Sequence, residues 1–161
     1  MAFVSFAGTF VKDEGIEVLA RANVHLRGID ISNCIHVTEN SGIAIGQNCR
    51  DLEHADFAGT QTDNHGMMYF SPLCSCTCYS NSFAGTQVDN DAVIYLSLCP
   101  RLKTLNLKDC HDVSVVAMLS LKRDCHQLVN IDVRGTGVTT AGIDVLKTIG
   151  QNELWWARVK V

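Results

Sequence analysis

The chain lacks the features that most directly announce a function. Its 161 residues carry 13 lysines and arginines against 17 acidic residues, a formal net charge of -4, with no basic run. That balance argues against nucleic acid, whose binding rests on lysines and arginines set against phosphates. No apolar run approaches the ~20 residues that a membrane span needs. The opening Met1-Ala2-Phe3-Val4-Ser5 has neither the basic nor the long apolar region of a secretory signal. No Gly-rich phosphate loop, nucleophile elbow or H-E-x-x-H occurs. His36 and His111 fall in loops and His65 and His126 near helix ends, with no pairing that suggests chemistry. No catalytic residue, cofactor or metal is therefore expected, and the chain reads as a non-enzyme. Charged residues make up only 19%, so much of the surface must be small or uncharged polar.

What is present is repetition. Phe6-Ala7-Gly8-Thr9 returns as Phe57-Ala58-Gly59-Thr60 and as Phe83-Ala84-Gly85-Thr86. Ile31-Ser32-Asn33-Cys34, Leu107-Lys108-Asp109-Cys110 and Val133-Arg134-Gly135-Thr136 are weaker copies. From Thr9 through Cys34, Thr60, Thr86 and Cys110 to Thr136, the spacings are 25, 26, 26, 24 and 26. A fixed period of this size marks a tandem array in which neighbouring units share a core. The whole chain, 1–161, is one array. Its units run approximately over 1–22, 23–48, 49–73, 74–98, 99–124 and 125–149, with 150–161 a partial seventh. Of eight cysteines, six fall at repeat-locked positions. They read as small buried hydrophobes in a reducing compartment, and the chain as intracellular and cytoplasmic.

Two periodicities sit inside each unit. The fifth is the fullest: Cys99-x-x-Leu102-x-x-Leu105-x-Leu107-x-x-Cys110, then Val113, Ala117-Met118 and Leu121. Alternation at Leu105 and Leu107 predicts a short half-buried strand. The later apolar residues three apart predict a helix with one buried face. Gly8, Gly59, Gly85 and Gly135 recur in one slot as turn residues.

The frame C-x-x-L-x-x-L-x-L-x-x-C/T-x-x-V, followed by G-I/M-x-x-L, resembles the cysteine-containing leucine-rich repeats over residues 3–150. That subfamily includes F-box substrate adaptors of ubiquitin ligases and axonemal scaffold proteins. The resemblance implies an α/β fold: a right-handed leucine-rich-repeat solenoid with a parallel concave sheet, convex helices and about six repeats. It places strands centred on 4–7, 29–32, 55–58, 81–84, 105–108 and 131–134, and helices over roughly 13–22, 39–48, 64–73, 90–98, 115–124 and 140–149. It also implies that the Cys or Thr closing each strand satisfies loop backbone groups, as an asparagine does in other such repeats.

The fourth unit departs from its own frame. Pro72-Leu73-Cys74-Ser75-Cys76-Thr77-Cys78 carries one extra residue, which predicts a bulge or distorted turn. Asn81 stands in an apolar slot and is expected to be hydrogen-bonded or turned outward, since an unpaired buried amide costs on the order of 1–3 kcal/mol. The C-x-C-x-C spacing lacks the C-x-x-C knuckles of a metal site. A redox-sensitive pair there is the alternative from another functional class.

The frame also names the residues that should face a partner. On the concave side lie Asp30, His54, Asp56, Tyr79, Ser82, Asn106, Lys108, Asp132 and Arg134, and at the C-terminal edge Trp155 and Trp156. Aromatic residues of this kind commonly anchor interfaces. Both ends of the array look uncapped, so other proteins are expected to bind through the concave face and the solenoid ends. The function expected is a protein–protein interaction scaffold, a structural subunit of a large intracellular assembly such as an axonemal regulatory complex. The alternative is the substrate-recognition part of an F-box adaptor. Asp56→Lys or Arg134→Glu should then weaken a partner without altering the fold.

Overall fold

The computed structural model describes residues 3–73, 80–148 and 159–160. Among them strand and helix alternate: β1 (Phe3–Ser5), α1 (Asp13–Ala22), β2 (Gly28–Asp30), α2 (Glu39–Asn48), β3 (His54–Asp56) and α3 (Asn64–Leu73). There follow β4 (Ser80–Ser82), α4 (Asn90–Ser97), β5 (Thr104–Asn106), α5 (Val115–Asp124), β6 (Asn130–Asp132), α6 (Thr140–Thr148) and β7 (Val159–Lys160). The strands form one parallel sheet ordered β1 to β7. Sequence order and spatial order coincide, as they must when each unit buries its apolar face only against the units before and after it. The fold is an α/β leucine-rich-repeat-like solenoid.

The register shows how the core is built. Val4, Ile29, Ala55, Asn81, Leu105 and Ile131 stand side by side at the strand centres. Behind them Ile31, Phe57, Phe83, Leu107 and Val133 are also buried, and the rings of Phe57 and Phe83 stack with centroids 5.4 Å apart. Helices of ten residues or fewer are marginal on their own. These are held by burying one face each, with Ile16 and Ala20 in α1, Val93 and Leu96 in α4, and Met118 and Leu121 in α5. Thr38, Asp89 and Ser114 cap the next helix by accepting a hydrogen bond from the amide two residues on.

The observed strands are shorter than the repeat frame implies and begin one residue earlier. The second apolar residue of each pair belongs to the turn that follows. In Phe57-Ala58-Gly59-Thr60, Thr60 N donates to Phe57 O at 3.1 Å and Gly59 has φ +67°. A four-residue turn with positive φ at its third residue wants glycine there. Asn33 (φ 57°) and Asp109 (φ 61°) fill the same slot in the weaker copies, and these two residue types tolerate the left-handed region best. The inter-strand ladder nonetheless continues through the turns, with Gly59 N donating to Ala84 O at 2.8 Å and Gly85 N to Lys108 O at 2.8 Å.

The strand-closing residues do bond backbone, in two ways. The hydroxyls of Thr60, Thr86 and Thr136 donate within their own turn, to Phe57 O, Phe83 O and Val133 O at 2.7, 2.7 and 2.6 Å. The longer-reaching thiols of Cys34 and Cys110 donate instead to the preceding repeat, to Phe6 O and Phe83 O, at 3.0 Å each.

Asn81 corrects the expectation made for it. It is 2% exposed, and neither amide atom has a hydrogen-bond partner among the described residues. Its slot points inward because the register of β4 matches β3 and β5, with Ala55 on one side and Leu105 on the other. The pleat leaves Ser80 and Ser82 to face outward. The extra residue and Cys74, Cys76 and Cys78 lie outside the described residues.

Candidate functional site

Successive residues of a strand point to opposite faces, so a buried central residue leaves its two neighbours on the concave surface. One outer row is therefore Phe3, Gly28, His54, Ser80, Thr104 and Asn130. The other is Ser5, Asp30, Asp56, Ser82, Asn106, Asp132 and Lys160.

The acidic and amide members of the second row have a structural task. Asp30 Oδ1 accepts from Ser32 N at 3.0 Å and Ser32 Oγ at 2.7 Å, Asp56 Oδ1 from Ala58 N at 2.9 Å, and Asn106 Oδ1 from Lys108 N at 3.1 Å. Asp132 Oδ1 accepts from Arg134 N at 3.2 Å. Each side chain thus closes an Asx turn that bends the chain out of the strand. An aspartate or asparagine recurring at this slot is explained by the turn before any partner is invoked.

The carboxylates then differ in what else they meet. Asp132 is claimed by Arg134, whose Nε and Nη2 donate at 2.9 and 2.6 Å. Those hydrogen bonds hold the Asp132 carboxyl below the usual carboxylate range, despite partial burial. Asp30 receives only Ser5 Oγ besides its turn donors, at 3.1 Å. Burial pushes its carboxyl up, but the Ser32 and Ser5 donors outweigh that and leave it lowered. Among the described residues, neither Asp30 nor Asp56 pairs with a cation. Lys108 pairs with Asp109 at 3.4 Å.

Asp30, His54, Asp56 and Ser82 line one depression of about 410 Å³ in the concave face. Ile29 and Ala55 floor it, and Phe3 and Ser80 complete the wall. The structure thereby brings together four of the residues expected at the interface. It leaves Asn106, Lys108, Asp132 and Arg134 farther along the same face, and Tyr79, Trp155 and Trp156 lie outside the described residues. Phe3 is the residue the sequence reading assigned no role. Its ring lies over Gly28, where a Cβ would come within 2.2 Å of Phe3 Cδ2. A glycine opening a strand in a row of side chains is the signal that pointed to it.

Arg134 is bound to Asp132, so Arg134→Glu would break an internal pair and set two carboxylates together. Asp56→Lys would remove the acceptor for Ala58 N, so both substitutions disturb internal bonds as well as the exposed face.

Two of the described thiols are held protonated by burial. Cys34, Cys49, Cys99, Cys110 and Cys125 are free and buried. Burial pushes the Cys125 thiol up to about 12, with nearby Cys99 and Asp124 adding to the rise, and the Cys110 thiol up as well. A thiol that stays protonated is a poor nucleophile. Among the described residues no group of three or more His, Cys, Asp or Glu side chains gathers to hold a metal ion. None of the described helices is long and apolar enough to cross a membrane.

No protein-family model matches the chain, and no curated protein matches it significantly. Among solved structures, it is similar to a chain in the crystal structure of the yeast Rad7 and Elc1 complex, with a TM-score of 0.65 and 18% identity. The likeness covers 85% of this chain and 43% of that one, so the sequence here spans less than half the length of its structural neighbour. At that identity the likeness speaks for the fold, a leucine-rich-repeat-like solenoid.

Proposed function

We propose that the chain is a non-catalytic protein-interaction scaffold that binds a partner along its concave sheet. The observation carrying this reading is the depression of about 410 Å³ at the strands' outer rows. It is open and lined largely by small, polar and acidic side chains. Small side chains let a partner's backbone approach, and sparse charges set its register. Within this class we favour a structural subunit of a larger intracellular assembly, of which an axonemal regulatory complex is the example that the repeat frame suggests. A substrate-recognition role in a ubiquitin-ligase adaptor is the second reading. It is favoured by one observation, that a chain of similar fold occurs together with a second protein in the yeast Rad7 and Elc1 complex.

The test places bulk on each side of the solenoid. Ser82→Arg fills the concave face, and Gln47→Arg alters the exposed side of α2. Cross-linked capture from cells should lose most specific partners with Ser82→Arg and keep them with Gln47→Arg. Identical partner sets for both variants would contradict the concave-face reading.

A further inference from the structure

We propose that the depression walled by Phe3, Asp30, His54 and Asp56 anchors an arginine side chain of the partner protein. The guanidinium would pair with the Asp56 and Asp30 carboxylates and lie against the Phe3 ring. This rests on the reading that the concave face binds a protein, and it names the chemistry of that partner.

The argument comes from comparing equivalent positions of the repeat. Asp30, Asp56 and Asp132 occupy one slot in three units and close the same Asx turn. Two residues on, the sixth unit has Arg134, which neutralises Asp132 through Nε and Nη2 at 2.9 and 2.6 Å. The second and third units have Ser32 and Ala58 there, which supply no cation. Asp56 Oδ1 serves the turn, and Oδ2 is left without a donor among the described residues. The Asp132–Arg134 pair therefore displays, inside the same molecule, the contact that Asp56 is shaped to make and lacks.

The surroundings suit a guanidinium better than an ammonium. A planar fork fits a carboxylate with two parallel hydrogen bonds and stacks on an aromatic face. Phe3, 55% exposed and laid over the bare backbone of Gly28, offers such a face at the rim. Ser80 and Ser82 line the far wall and add neutral acceptors. The charge of the site is complementary to the proposed occupant: two carboxylates that pair with no cation among the described residues, in a cavity large enough for one long side chain.

The turn itself supplies a clean test. Asn106 fills the same slot and closes its turn through Oδ1 without any charge. Asp30→Asn with Asp56→Asn should accordingly remove the charge and keep the fold, as judged by an unchanged circular dichroism spectrum and melting curve. A display library of random linear peptides is panned on the wild-type full chain, and the selected peptides are measured by fluorescence polarisation. Peptides carrying a common arginine are expected, weakened at least about ten-fold both by the double variant and by replacing that arginine with citrulline. Asp144→Asn, on α6, should leave their affinity unchanged. Selected peptides that lack a shared arginine, or that bind the double variant equally well yet lose binding to Ser82→Arg, would overturn the arginine anchor and leave the concave-face reading standing. Enrichment of no peptide sensitive to Ser82→Arg would overturn both.

Discussion

Asn81 gives the sharpest test of the packing argument. Its side chain sits at a strand centre, 2% exposed, between Ala55 and Leu105, with both amide atoms unpartnered among the described residues. Leaving such a group dry costs about 1–3 kcal/mol, because its water hydrogen bonds are lost and not replaced. Asn81→Val removes that penalty at a modest gain in volume, and adjacent Ala55 is small enough to leave room. A β-branched residue also suits a pleated, half-buried strand better than asparagine, by up to about 1 kcal/mol. Crowding by the added methyl works the other way by up to about 1 kcal/mol. The net expectation is stabilisation by about 1–3 kcal/mol. For a chain of this size that corresponds to a rise in Tm of about 3–9 °C. Urea unfolding followed by circular dichroism should show the midpoint moving up with the slope unchanged, which locates the effect in the native state. Asn81→Ala, which removes the amide but leaves a void, should fall between wild type and valine. A valine variant that is less stable than wild type, or within about 0.5 kcal/mol of it, would refute the reasoning: the amide would then be satisfied in solution.

Two further outcomes follow from named contacts. Asp13, at the first turn of α1, accepts from Thr38 N at 3.0 Å, Thr38 Oγ1 at 2.7 Å and Ser41 Oγ at 2.5 Å. Burial raises its pKa, but these donors outweigh burial and leave it below 3.8. A depressed carboxylate stabilises above its unfolded pKa and stops doing so as pH falls through the folded value. Allowing for its partial exposure, Asp13→Ala should cost about 1–2 kcal/mol at pH 7. In urea titrations the gap from wild type should narrow as pH falls below the usual carboxylate range and through the depressed folded value; a gap of constant size would show that the charge is immaterial. Gly66 tests the close approach of α2 and α3, since an added Cβ would lie 3.0 Å from Glu39 O and 3.1 Å from Glu39 Cα. Alanine is the better helix former by about 1 kcal/mol, yet Gly66→Ala should lower stability by about 1–3 kcal/mol. A variant that melts at or above the wild-type temperature would mean that the helices separate at little cost.

The helices are legible in the sequence because apolar residues three apart must share a face. The ranges 13–22, 39–48, 64–73 and 115–124, placed by the repeat frame, coincide with α1, α2, α3 and α5. The strands are less legible. Alternation at Val4 and Phe6 continues smoothly from strand into turn, and only the hydrogen bond from Thr9 N to Phe6 O and the positive φ of Gly8 mark the boundary. The fate of Asn81 is also undecided in the chain, because its neighbours Ala55 and Leu105 are about 25 residues away on either side.

For the concave face, the sequence by itself determined which residues face outward, since the two-residue period of a strand assigns Asp30, Asp56, Ser82, Asn106 and Asp132 to one row. It could not distinguish among them. Only the tertiary structure decided that Asp132 is spent on Arg134, that Asp30 and Asp56 pair with no cation among the described residues, and that Phe3 lies over Gly28 beside them. The physical reason is that facing is a local property of backbone geometry, repeated in every unit. Charge pairing and the shape of a depression arise across strands, between side chains whose distances no single repeat specifies.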